Sequence, residues 1–157
     1  MIDCVDENGN TLLYKNLKIF LLLKYFNLYT LFSHIAIQNG NLKCCEFLLD
    51  RGADIEIINN KYSAAIHECV SSNEPKILEM LLSHKRKPNI NLRNKYGATA
   101  VHYCALNDNL ECVEILLKNN ASLCERCSYG FFPIHLAAHS CANKVLKRLV
   151  AEGNTII

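Results

Sequence analysis

Histidine recurs along this 157-residue chain at nearly constant intervals, and this periodicity constrains the fold more than any other feature. The recurring residues are His34, His67, His102 and His135. They are separated by 33, 35 and 33 residues, and each is followed by small or apolar residues, in HIAI, HECV, HYCA and HLAA. A period of this length indicates a row of similar units, each of which buries apolar surface against its neighbour.

Each period contains two apolar stretches with helical spacing. In the first stretch, Thr99 suits an N-cap, and Pro133 suits the first helical position because its missing N–H would have no partner there. The second stretches are LKCCEFLL from Leu42, PKILEMLL from Pro75, LECVEILL from Leu110 and NKVLKRLV from Asn143. Three of them are followed by residues that tolerate a left-handed backbone, namely Gly52, Asn120 and Gly153. We therefore expect an all-α solenoid of about four helix–turn–helix units.

The register also sets the expected boundaries of the units. Residues 1–13 begin the first unit, and residues 34–60 complete it after an interruption. The second, third and fourth units are residues 61–93, 94–126 and 127–157. No polar terminal stretch follows the last apolar run, so we expect either that the array is part of a longer one or that the gene model is truncated.

The interruption is the apolar block of residues 14–33, YKNLKIFLLLKYFNLYTLFS, which separates Leu13 from His34. A transmembrane helix over residues 17–37 would have the required length of about 20 residues, but it would contain Lys18 and Lys24. A genuine insertion would expose a large apolar surface or extend the first helix backward. We favour a third interpretation, a translated intron, because the block consists mostly of residues with A/T-rich codons and splits a motif between two adjacent positions.

The period and its motif resemble the ankyrin repeat, whose signature is G-x-T-P-L-H-x-A-A. The stretches GATAVHYCA and GFFPIHLAA match it well, whereas YSAAIHECV has Tyr62 where glycine is expected. The resemblance implies that the four motif histidines are structural residues, which hydrogen-bond locally and tie neighbouring turns together. The other structural residues that it implies are Gly97, Gly130 and Pro133.

Nine cysteines and no secretory signal predict free cytosolic thiols that mostly act as small buried hydrophobic residues. Cys124 and Cys127 are the cysteines that we expect to be most exposed. Together with His135 and His139 they suggest a zinc site, but only seven residues separate Cys127 from His135, and the other motif histidines have no cysteine pair beside them. We therefore favour a structural role for His135 and predict no cofactor, and a redox role for the CxxC pair has little support.

The net charge of +2 gives no indication of nucleic-acid or membrane binding, and the sequence contains no nucleophile–base pair or phosphate-binding glycine loop. We therefore expect a non-catalytic cytoplasmic module that binds a protein or further units of a longer chain. Ankyrin units bind partners through the tips of their turns and the exposed side of the first helix. By register, these positions are Asn60, Lys61, Glu68, Asn94, Lys95, Tyr103, Ser128, Tyr129 and Leu136.

Departures from the repeat signature point to one kind of ankyrin protein. Thr99-Ala100-Val101 replaces T-P-L, Phe132 takes the threonine position, and the second unit carries a two-residue extension in SHKRKPNINLRN. In this order the units resemble the N-terminal ankyrin segment of transient receptor potential ankyrin-type cation channels. That resemblance implies a cytosolic arm of a homotetrameric, calcium-permeable sensory channel at the plasma membrane, with no membrane insertion by the repeats. The alternative is a small soluble cytosolic adaptor protein.

Overall fold

The computed structural model describes residues 28–59 and 62–153, and in these ranges the chain forms eight helices and no strands. The helices are α1 (Leu28–Gln38), α2 (Leu42–Asp50), α3 (Ala65–Ser71), α4 (Pro75–Ser83), α5 (Ala100–Asn107), α6 (Leu110–Lys118), α7 (Pro133–His139) and α8 (Asn143–Gly153). Each unit therefore consists of a first helix, which carries the motif histidine, and a second helix. The prediction of an all-α fold is confirmed.

The units stack in a line. The first helices pack in the order α1, α3, α5, α7, and the second helices pack in the order α2, α4, α6, α8. Within each unit the first helix also packs on the second, so apolar side chains from both rows form one continuous core. This arrangement is the solenoid that the repeat period predicts.

Small residues line the first-helix side of this core. Ala36, Cys69, Cys104 and Ala137 occupy equivalent positions, and each is at most 4% exposed. A larger side chain at these positions would push neighbouring first helices apart, because a close-packed core has no spare volume. The motif histidines of successive units then lie in equivalent positions.

The cysteines of the described residues follow the prediction of free, mostly buried thiols only in part. Cys45, Cys69, Cys104 and Cys112 are free thiols in the core, and burial raises the pKa of Cys45 to about 12 and that of Cys112 to about 11. Cys44 is an exception to the expected free thiols, since it is disulfide-bonded. The expected exposure of Cys127 was wrong: this residue lies at the start of a tight turn and is only 7% exposed, whereas Cys124 and Cys141 are exposed.

A left-handed residue connects the two helices of every unit. These residues are Gly40, Asn73, Asp108 and Cys141, with φ between 53° and 64°. Only one of the four is glycine, which explains why the glycine pattern did not reveal this turn. Tyr62 takes the glycine position of a second recurring turn and adopts φ 60°, close to the 66° of Gly97, at a backbone cost that glycine avoids.

Helix α1 begins farther ahead of its motif histidine than the other first helices do. α3, α5 and α7 begin two residues before their histidine, whereas α1 begins at Leu28, six residues before His34. Residues 28–33 therefore extend the first helix backward, which was one of the alternatives for the apolar block. Residues 1–27 lie outside the described residues, so the interpretation of residues 14–33 as a translated intron stays a prediction. Among the helices that the structure describes, none combines the length and the apolar character needed to cross a membrane.

Two neighbouring alanines of α7 test the close packing of the first helices. Ala137 is fully buried and Ala138 is exposed. We expect Ala137→Leu to lower the free energy of unfolding by about 1–3 kcal/mol, because the added atoms have no space between the helices. The matched control Ala138→Leu should change it by less than about 0.5 kcal/mol. Urea denaturation followed by circular dichroism measures both, and equal effects would contradict the packing argument.

Candidate interaction surface

The motif histidines fix the start of their own helices. His67, His102 and His135 each occupy the third position of a first helix, and Nδ1 accepts the backbone N–H of the residue three positions earlier, at 3.1–3.2 Å. These N–H groups would otherwise be unpaired at the helix start. Since Nδ1 accepts, the neutral ring carries its proton on Nε2.

The Nε2 atoms join consecutive units. His34 donates from Nε2 to the carbonyl of Ser63 at 3.1 Å, and His102 donates to that of Phe131 at 3.2 Å. The Nε2 atom of His67 lies 2.9 Å from the carbonyl oxygen of Leu92 and 3.2 Å from that of Ala98. Burial lowers the pKa of His67 and of His102, which favours the neutral ring that this bonding requires.

His135 makes only the bond within its own helix. Its Nδ1 accepts the N–H of Phe132, but the side chain is exposed, and no residue in the described ranges accepts from its Nε2. Its ring lies instead beside those of Phe131 and Phe132, with centroids 6.3 and 5.5 Å away. The fourth unit thus carries the motif without a neighbour beyond it in the described structure.

Between the units, tight turns project as fingers. We define the fingers as residues 59–63, 94–98 and 127–131; residues 60 and 61 of the first one lie outside the described residues. In each finger the first residue donates its N–H to the carbonyl four residues later, at 2.9–3.0 Å. The N–H of Ser128 also donates to the carbonyl of Tyr96 at 2.8 Å, which fixes the third finger against the second.

An asparagine braces the second finger against its first helix. Oδ1 of Asn94 accepts the N–H groups of Tyr96 and Ala98, both at 2.9 Å, and its Nδ2 donates to the hydroxyl of Tyr103 at 2.8 Å. The expected exposure of Asn94 was therefore wrong: it is only 6% exposed because its side chain fills the turn. Tyr103 is half-buried, and its hydroxyl is engaged in the same brace.

The first finger has an equivalent brace, which corrects the interpretation of Glu68. Nδ2 of Asn59 donates to Oε2 of Glu68 at 2.9 Å, and Nε2 of Gln38 donates to Oε1 at 2.7 Å. Glu68 is only 4% exposed, so this carboxylate is not part of the free surface that was predicted. The brace instead joins the first helices of units one and two.

Aromatic side chains dominate what the fingers expose. We define the fingertip patch as Tyr62, Lys95, Tyr96, Ser128, Tyr129 and Phe131, all of which are exposed. Among its aromatic side chains, Tyr129 is the most exposed, at 72%. Nζ of Lys95 lies 3.8 Å from the centroid of the Tyr62 ring, and the rings of Tyr62 and Tyr96 meet edge to face at 6.4 Å.

The patch includes some predicted residues and omits others. Lys95, Ser128 and Tyr129 belong to it, whereas Leu136 is half-buried on α7, and Asn60 and Lys61 lie outside the described residues. Sequence reasoning missed Tyr62, Tyr96 and Phe131. The signal available for Tyr96 was its register, since it and Tyr129 both stand six residues before a motif histidine. Aromatic side chains at such tips are typical of protein-binding surfaces.

The residues of the suggested zinc site have other surroundings. Cys127 begins the third finger, Cys124 is exposed in the preceding loop, and Nδ1 of His135 holds the start of α7. In residues 28–59 and 62–153, no three histidine, cysteine or acidic side chains are grouped as metal ligands would be.

Comparisons with known proteins agree with the repeat geometry. A family model described as ankyrin repeats (three copies) matches residues 2–94 and 66–156. Over 76% of its own length, the chain is 32% identical to the human transient receptor potential cation channel subfamily A member 1. Over 78% of its own length, it is 27% identical to the Caenorhabditis elegans homolog of that protein. It is also 25% identical to the nuclear factor NF-kappa-B p105 subunit of Gallus gallus over 77%. These matches cover only 10–12% of the relatives, so the chain spans about a tenth of their length.

The contrast between His102 and His135 tests the double role of the motif histidine. We expect His102→Ala to lower the free energy of unfolding by about 2–4 kcal/mol, because it leaves a cavity, unpairs the Thr99 N–H and removes one of the two hydrogen bonds that the Phe131 carbonyl accepts. His135→Ala removes a single exposed bond, so its cost should be about 0.5–1 kcal/mol. Urea denaturation measures both, and equal losses would mean that the histidines stabilise only their own helix.

Proposed function

We propose that this chain, which belongs to the ankyrin-repeat family, is a non-catalytic interaction module. Its fingertip patch binds a protein partner. The observation that carries the proposal is the group of exposed aromatic side chains on turns that are themselves rigidly held. Large aromatic side chains contribute much of the energy in protein interfaces, and they lose little conformational freedom on binding. The braces at Asn59 and Asn94 keep the fingers in place before any partner arrives.

The chemistry of the patch indicates the kind of partner segment that would fit it. Four of its six side chains are aromatic rings, which favour apolar or aromatic contacts. Lys95 supplies a positive charge close to the Tyr62 ring, so an acidic group in the partner would pair with it at the rim of the interface. We therefore infer a protein segment that combines apolar side chains with at least one carboxylate.

We further propose that the module is part of the cytosolic ankyrin arm of a transient receptor potential ankyrin-type cation channel. The matches to the human and nematode channel proteins and the order of the distinctive motifs support this assignment. In that setting the chain would act in a homotetramer at the cytosolic face of the plasma membrane. The alternative is a small soluble adaptor, for which the match to a protein outside the channel family is the supporting observation.

A double substitution in the patch tests the binding surface. The probe is a partner isolated by affinity capture with the unchanged chain and then produced separately in pure form. We expect Lys95→Glu with Tyr129→Ala to raise its Kd at least tenfold, or about 1.4 kcal/mol, as measured by isothermal titration calorimetry. The control is Lys118→Glu, a charge reversal at the end of α6. Unchanged affinity in the patch variant, with a loss in the control, would place the partner on the second helices instead.

The transcript of the gene distinguishes the channel from the adaptor. If the channel proposal is right, the reading frame continues from the codon for Ile157 into further ankyrin units and then six apolar segments of about 20 residues each. A stop codon at that point in the full-length transcript would favour the adaptor. The same transcript tests the intron interpretation, which requires the codons for Leu13 and His34 to be adjacent.

A further inference from the structure

We propose that a groove between the ends of α4 and α6 binds an acidic, carboxylate-bearing segment of a protein. We define the basic loop as Lys85, Arg86 and Lys87, and the basic groove as this loop together with Leu82, Ile115, Lys118 and Asn119. The groove shares no residue with the fingertip patch, so its role does not depend on what the fingers bind.

The basic loop contains the two-residue extension that makes the second interval between motif histidines 35 residues long. Gly52 and Asn120 follow the second helices of units one and three, and they adopt left-handed φ values of 91° and 63°. Lys85 holds the same place in unit two without a positive φ, and α4 ends at His84 with an extended backbone of φ −66° and ψ 156°. The extension therefore replaces a tight reversal with a run of three cationic residues.

Hydrogen bonds hold this loop at both ends. The N–H of Arg86 donates to Nδ1 of His84 at 3.3 Å, and the N–H of Asn89 donates to Oε1 of Glu56 at 2.9 Å. Pro88, which lies between them, is buried. The cationic side chains thus belong to a backbone that is already ordered, which lowers the entropic cost of binding a partner.

The charges of the basic loop are not used within the part of the chain that the structure describes. All three side chains are exposed, and none of them forms an ion pair with a carboxylate of the described residues. By contrast, Arg93 and Arg148 both pair with glutamates. Three consecutive like charges repel one another, and an anionic partner relieves that repulsion.

A cavity beside the loop gives such a partner a place to enter. It has a volume of about 460 Å³ and lies between α4 and α6, which pack against each other. Its lining consists of Glu79, Leu82, Ser83, Lys87, Ile115, Lys118 and Asn119. Leu82 and Ile115 are only 5% and 6% exposed, so they make part of this lining apolar. Lys87 and Lys118 outnumber the single carboxylate of the lining, and the rest of the basic loop adds two more positive charges.

The arrangement favours a protein segment over a membrane surface. Basic clusters that bind anionic lipids contain about four to eight Lys or Arg residues, whereas the loop has three, and a flat membrane does not reach into a cavity. A protein segment can pair its carboxylates with Lys87, Lys118 and the guanidinium of Arg86. It can also place an aliphatic side chain against Leu82 and Ile115.

A pair of synthetic peptides tests the basic groove in the full chain. The probe is a fluorescein-labelled peptide with three glutamates on each side of one leucine, and its counterpart has glutamines in place of the glutamates. We expect the glutamate peptide to bind more tightly than its counterpart by about tenfold or more, as measured by fluorescence anisotropy. Arg86→Gln with Lys87→Gln should raise its Kd by about tenfold or more, because charge-assisted hydrogen bonds are lost. No measurable binding, or equal binding of both peptides, would overturn the proposal.

A matched double substitution separates the groove from general charge attraction. Lys144→Gln with Lys147→Gln removes the same charge from two exposed lysines of α8 and should change the Kd by less than about twofold. An equal loss in both variants would mean that net charge alone attracts the probe, against the proposal. Urea denaturation should give the same free energy of unfolding for both variants, because the substituted side chains are exposed.

Reciprocal variants keep this proposal distinguishable from binding at the fingertips. Lys95→Glu with Tyr129→Ala should leave the Kd of the glutamate peptide nearly unchanged, whereas Lys118→Glu should raise it. The opposite pattern would place the peptide on the fingertip patch and overturn the groove. Vesicles of phosphatidylserine and phosphatidylcholine in equal parts test the membrane by sedimentation. If the chain binds them through Arg86 and Lys87 but does not bind the peptide, the proposal is wrong.

Discussion

A neutral imidazole with two engaged nitrogens connects the second unit of this protein to the third, and another connects the third to the fourth. Nδ1 accepts the N–H group at the start of its own helix, and Nε2 must then donate, because it carries the only remaining proton. A glutamate at the same helix position would satisfy the N–H group, as it does in a capping box, but an ionised carboxylate has no proton for the neighbouring carbonyl. This explains why histidine marks the period.

The packing between units follows from that bond. The histidine reaches the next turn only if the first helices lie close together, and the column of alanines and cysteines permits this approach. Cysteine fits this column because its side chain is small. Burial raises the pKa of Cys69 and of Cys104, so these thiols stay neutral and apolar. Each junction therefore depends on one directional bond and one steric condition, and both recur with the period.

The sequence predicted features that depend on this recurrence and missed those that depend on single side chains. The all-α array and the buried column follow from spacing alone. The burial of Glu68 and Asn94 does not, because it results from hydrogen bonds to the side chains of Asn59 and Tyr103, which spacing alone does not show. The register predicted Tyr129 as a fingertip residue. It did not lead to the prediction of Tyr96, although Tyr96 holds the same position in its unit. The burial of Cys127 at the start of one turn had no signal in the cysteine pattern.

The fingertip patch is compatible with both the channel arm and the adaptor. The fingertip patch is exposed because the turns project from the stack, so an aromatic tip is compatible with a chain of any length. Its rings lie on turns that hydrogen bonds already hold, so they keep their arrangement in either protein. Contiguous apolar surface in water is unfavourable and promotes association. A partner that covers the exposed rings removes this apolar surface from water, and the gain is the same in a long channel arm and in a small adaptor.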